Sequence, residues 1–139
     1  MPKKTNEPYL REKIRAVRKT RSEWRWLSAF PEKRKPDWER EGKPRGWRSP
    51  MNIGTSNDCY LCDMWYTCDL SPCKRCIGCP LKRERDLDCY DNNHPFQKWL
   101  QSHYNAMRSP QEESKRSAYA NQIVQWCDEW LEQHPYPKR

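Results

Sequence analysis

The stretch CYLCDMWYTCDLSPCKRCIGCP, Cys59 to Pro80, holds six of the eight cysteines of a 139-residue chain; the other two are Cys89 and Cys127. The use of these sulfurs decides the fold, because the rest of the chain is poor in aliphatic side chains. Leu, Ile, Val and Phe together number 16, below about a fifth of the chain. Eight Trp and seven Tyr offset this, since each aromatic ring can bury a large area. A small aromatic core of this kind needs reinforcement, and small domains obtain it from metals or disulfides. The N-terminus MPKKTNEPYLREKIR has no apolar segment of a secretory signal, and the intact initiator Met argues against a trimmed one. No run of 18 apolar residues suggests a membrane span. The expectation is a cytoplasmic protein, where clustered cysteines hold metal more often than disulfides.

Two Cys-x2-Cys knuckles, Cys59/Cys62 and Cys76/Cys79, are separated by 13 residues. Each knuckle lets two thiolates and the neighbouring backbone amides wrap one ion, and two knuckles complete a tetrahedral site that suits zinc. Cys89 is the next candidate ligand, with Cys68 and Cys73 as secondary ones. Other assignments stay open. Cys73, Cys76 and Cys79 follow part of the spacing of a ferredoxin-type run, in which Cys89 or Cys68 could complete a 4Fe–4S cluster. The proline, however, follows the third cysteine directly, whereas the ferredoxin run places it after a fourth. A second zinc held by Cys68, Cys73, Cys89 and His94 is a further arrangement. Cys127 falls among Ile123, Val124 and Leu131 and reads as a small buried hydrophobe.

On the N-terminal side of the knuckles, Leu10, Ile14, Val17, Trp24 and Leu27 recur at helical spacing between Glu7 and about Phe30. Asn6 can cap this helix, and Pro8 lies in its first turn, where proline is tolerated. Residues 31–50 carry prolines and glycines without a hydrophobic period and read as an extended arm or linker, with Trp38 and Trp47 as candidate anchors. On the C-terminal side two helices are expected. The first places Phe96, Trp99, Leu100, His103 and Met107 on one face. The second opens with Ser109 as cap, Pro110 at the first position and Glu112 closing a capping box, then carries Tyr119, Ile123, Trp126, Trp130 and Leu131 as its stripe. The expected fold is small, α-rich and irregular: a loop-rich four-cysteine zinc knot flanked by an N-terminal basic helix and two C-terminal helices. Residues 1–50 form the basic Trp-rich helix and arm, and residues 51–139 the metal-binding module with its helical pair.

Charge divides along the same boundary. Residues 1–50 hold 16 Lys/Arg against seven Asp/Glu, while residues 51–139 hold 11 against 12. The net charge of +8 therefore belongs to the first third of the chain. Arg11, Arg15, Arg18, Lys19 and Arg25 interleave there with Trp24, Trp26, Trp38 and Trp47. Cations hold phosphates and aromatic rings stack on unpaired bases, so RNA or DNA is the first partner class. An acidic host protein engaged by the same residues is the second. A solvated helix packed on the knot would carry the same charges with no partner at all.

No catalytic constellation accompanies these features. An all-Cys site is closed, and its metal is structural. No phosphate-binding loop or nucleophile elbow occurs, and only four glycines exist to build one. His94 and His134 each precede a proline near a helix end, and His103 sits on a helix face, so none has the partners of a general base. A non-catalytic protein without a small-molecule substrate is expected.

The pattern Cys59-x2-Cys62, Cys76-x2-Cys79-Pro80-Leu81, Cys89, Pro95-Phe96 and Trp99, followed by a last helix, resembles a group of small uncharacterised tailed-phage proteins. The likeness covers about residues 57–133. It implies a phage accessory protein with a zinc-like knot, acting in the host cytoplasm, and makes Cys89 a ligand or near neighbour of the metal. Cys68 and Cys73 are additions to that pattern, and the basic residues 1–50 lie outside it.

Overall fold

The computed structural model describes residues 10–48, 60–61, 80, 93–102 and 109–137. Among these residues the protein is helical and has no strand. Helix α1 spans Leu10–Ala29; α2 is a single turn, Lys35–Asp37, that runs on into a π-helical turn at Trp38–Gly42. Helices α3, Pro95–Gln101, and α4, Pro110–Gln133, complete the set. The expected N-terminal basic helix and C-terminal helical pair are therefore present. The knot itself, with Cys59, Cys62, Cys68, Cys73, Cys76, Cys79 and Cys89, lies outside the described residues, as do the Asn6 cap, Pro8, His103 and Met107.

Local chemistry accounts for each helix. Between Leu10 and Ala29 no proline or glycine interrupts α1, and its apolar residues other than Trp26 and Ala29 fall on one side. Leu10, Ile14, Val17, Trp24 and Leu27 are all buried. Thr20 shares that side because its hydroxyl donates to the Ala16 carbonyl at 2.8 Å, which satisfies the one polar group it carries inward. Helix α4 starts where its sequence signal placed it: the Ser109 hydroxyl accepts from the Glu112 amide at 3.1 Å, with Pro110 in the first turn. Its buried face is made by Arg116, Ala120, Ile123, Val124, Cys127 and Trp130. In α3, His94 is the cap, its Nδ1 accepting from the Phe96 amide at 3.0 Å.

Helices α1 and α4 lie antiparallel, and three contacts mark their register. Ser28 and Ser117 exchange hydroxyl-to-carbonyl bonds of 3.4 and 2.8 Å at one end. Arg21 donates to Asp128 at 3.0 Å midway. Arg15 reaches Tyr136, just beyond α4, at the other end. Helix α3 closes the core with Phe96 and Trp99, whose rings meet that of Trp24 edge-on at 5.6 and 4.8 Å. Three large rings in this arrangement supply the burial that the scarce aliphatics cannot.

The segment after α1 corrects the expectation of an extended arm over residues 31–50. Prolines in a sequence read as helix breakers, but Pro36 occupies the first turn of a helix, where its missing N–H costs nothing. The Asp37 carboxylate accepts from the Arg34 amide at 2.9 Å and fixes the start of that turn. Lys43 pairs with Glu39 at 2.7 Å and Lys33 with Glu41 at 3.2 Å across it. The turn carries Trp38 into the core, where its ring lies 6.0 Å from that of Tyr60. A second turn follows, with Gly46 at φ +89° and the Trp47 amide bonded to the Pro44 carbonyl at 3.2 Å. It folds Trp47 back against the core. Both tryptophans thus act as anchors of a segment that is partly helical.

Candidate nucleic-acid interface

At about 100° per residue, Arg11, Arg15, Arg18 and Arg25 fall within a stripe roughly 80° wide on α1, opposite the buried side. All four are exposed. The helix positions them through its apolar face: once Ile14, Val17, Trp24 and Leu27 turn inward, these arginines must face water. Guanidinium groups are planar, always charged at neutral pH and able to give paired donors to phosphate, so such a stripe is a natural anion-binding edge.

The stripe has two ends. Toward the N-terminus, Arg11, Arg15 and Arg18 gather round Tyr136. The guanidinium carbons of Arg11 and Arg18 lie 5.5 and 5.7 Å from its ring centroid, and Arg15 Nη2 donates to its hydroxyl at 3.4 Å. Toward the C-terminus, Arg25 is tethered to Asp128 at 3.8 Å, beside the closer Arg21–Asp128 pair at 3.0 Å. Exposed pairs of this kind contribute at most about 1 kcal/mol, so Asp128 orients these arginines more than it stabilises the helix pair.

The other residues singled out from the sequence lie elsewhere. Lys19 turns off the stripe; its Nζ lies 5.9 and 5.4 Å from the ring centroids of Trp47 and Tyr60. Trp26 is half-buried, 5.0 Å from the Phe30 ring and pressed on Gly42. Two assignments need correction. Trp24 and Trp38 are 0 % and 1 % exposed, so neither ring can stack on a base. Their hydrophobic bulk outweighs their place among basic residues, and both belong to the core. Tyr136, conversely, is not among the residues the sequence pattern selects. Its only signal there is an aromatic held between two prolines directly after a long helix.

The described histidines have structural settings. His94 is buried, its Nδ1 committed to the α3 cap and its ring 5.3 Å from Trp126. His134 stacks on Trp130 at 4.1 Å and ends α4. Among the described residues no group of three His, Cys, Asp or Glu side chains is placed to hold a metal. Two residues of the first knuckle are described, and both are buried: Tyr60 and Leu61, which lie between Cys59 and Cys62. The Tyr60 hydroxyl donates to the Arg48 carbonyl at 2.8 Å. The polypeptide between the first two candidate ligands is therefore part of the helical core. No described helix is long and apolar enough to cross a membrane.

Comparison with family models, curated proteins and solved structures gives no match for this chain. The likeness to tailed-phage proteins rests on the sequence pattern alone.

Proposed function

We propose that this is a non-catalytic, zinc-stabilised accessory protein of the tailed-phage type that binds nucleic acid through the arginine face of α1. The observation that supports it best is the exposed stripe Arg11, Arg15, Arg18 and Arg25, set opposite the face that builds the core. Folding thus concentrates cations on one side of one rigid element, which is the footprint of a phosphate-binding surface. The zinc would be held by Cys59, Cys62, Cys76 and Cys79, with Cys89 as the alternative ligand. Its role would be to fix the chain between those cysteines against the core, where Tyr60 and Leu61 already lie.

The test is retention on heparin and on RNA with Arg11, Arg15 and Arg18 changed together to Glu. All three are exposed, so the variant should fold. Loss of retention is expected, together with a wild-type affinity that falls log-linearly with salt by about 0.7 per phosphate contacted on a single strand. Unchanged retention in the variant would overturn the reading. Retention that depends on the arginines but hardly on salt would move the assignment to an acidic protein partner.

A further inference from the structure

Tyr136 stands within the arginine stripe although it comes from the opposite end of the chain. Pro135 and Pro137 bracket it, and the restriction that proline places on itself and on the residue before it leaves this short segment few conformations. The ring is held on its α1 side by Arg11, Arg15 and Arg18, yet the residue is still 39 % exposed. The other aromatic rings described in the N-terminal third do not combine these properties. Trp24 and Trp38 are buried, Trp47 lies against Lys19, and Trp26 covers Gly42. Phe30 is as exposed as Tyr136 but lies past the far end of α1, about 20 Å of helix axis from Arg15.

We infer that the ligand of this face is a single-stranded nucleic acid, with one unpaired base stacked on Tyr136 and its flanking phosphates held by Arg11, Arg15 and Arg18. The inference rests on the nucleic-acid reading above and adds the strand type and the stacking residue. A base within a duplex has no free face to offer a ring, whereas a single strand does. Arg11 to Arg18 spans about 10 Å of helix axis, and a nucleic-acid strand carries a phosphate every few ångströms, so more than one falls within reach. Arginines lying beside an aromatic ring give charge and stacking at one point, which is how sequence-tolerant single-strand sites are built.

The experiment measures fluorescence anisotropy of a labelled oligouridylate and of a labelled duplex of equal length, with the full chain. Tyr136→Leu should weaken single-strand binding by about tenfold, the order of one lost base stack. It should leave duplex binding and the slope of affinity against salt unchanged. Tyr136→Phe, which keeps the ring and loses the hydroxyl, should bind the single strand like wild type. Equal single-strand affinity of Tyr136→Leu and wild type would overturn the inference. If the Arg11, Arg15, Arg18→Glu variant had meanwhile lost binding, the broader reading would stand without it. Tighter binding by Tyr136→Leu would also overturn it, showing that the ring covers the arginines. Absence of binding by the wild-type chain would remove both.

Discussion

The guanidinium carbon of Arg116 lies 4.0 Å from the centroid of the Trp99 ring, inside the protein. Among the described residues its acceptors are the Trp99 carbonyl, the Ser102 hydroxyl and the Lys33 carbonyl, all neutral. One side chain of α4 therefore ties down the end of α3 and the loop after α1. Burial, with repulsion from Arg34 added, lowers its pKa from the usual arginine range to about 10. Arg116→Met keeps most of the apolar stem but removes the donor to all three acceptors, of which the Trp99 carbonyl still accepts from the Ser102 hydroxyl at 2.8 Å, and should destabilise the fold by about 2 kcal/mol in urea titration. The pH dependence has a definite sign. Because the folded-state pKa is the lower one, the unfolded chain holds the proton more tightly, and stability tied to this group rises only as pH climbs above about 10. Between about pH 6 and pH 9 the difference between variant and wild type should be constant.

Trp24 is the ring on which α3 docks, meeting both Phe96 and Trp99. Trp24→Ala should cost about 3–5 kcal/mol, comparable with the whole stability of a small domain, and should abolish a cooperative thermal transition. Trp26→Ala removes a half-buried ring and should cost clearly less. If the two variants melted alike, the assignment of Trp24 to the core and Trp26 to its edge would be wrong.

Helices α1 and α4 are legible in the sequence because each carries a strong local signal, a long apolar stripe in one and a Ser-Pro-x-Glu start in the other. The same periodicity places Trp24 in the stripe of α1, and burial favours that role over base stacking. The turn at residues 35–42 is not legible. Its evidence is a proline whose meaning depends on whether it falls at the first turn of a helix or inside one, and on Trp38 finding a distant partner in Tyr60. The arginine stripe can be read from spacing, but Tyr136 cannot. It joins the stripe only because α4 runs antiparallel to α1, which is a tertiary fact.

Gly42 tests the junction between α1 and the π-helical turn. A Cβ built there would sit 2.6 Å from the Trp26 ring, closer than side-chain atoms approach. Gly42→Ala must push that ring aside, and should destabilise the protein by roughly 1–3 kcal/mol despite the better helix propensity of alanine. A stabilised variant, measured by thermal melting, would show that the ring moves freely.

Cys127 is fully buried on α4 between the core residues Val124 and Trp130. Replacing it by alanine removes one sulfur from an apolar setting, at a cost of about 1 kcal/mol. Metal content should be unchanged by elemental analysis, because the ligands are expected in the 59–89 region. A loss of metal in Cys127→Ala would bring the helical core into the ligand set.

Metal removal offers the widest test, because the two residues between the first two expected ligands are buried in the core. Tyr60 and Leu61 are buried with Trp38 and the α1 stripe, while the expected ligands Cys59 and Cys62 flank them directly in sequence. If zinc fixes that knuckle, its binding energy contributes to the folding of the helices and not only to the loop that holds it. Cys62→Ser, or chelation of the wild-type protein, should then lower the melting temperature read from the helical circular-dichroism signal, in step with zinc lost per chain. The alternative 4Fe–4S cluster would show as iron, with the absorption of thiolate-bound clusters in place of a colourless solution. A helical transition that stays in place as the metal leaves would separate the cysteine region from the core energetically. The knuckle would then be a passenger on a fold that the aromatic residues hold together alone.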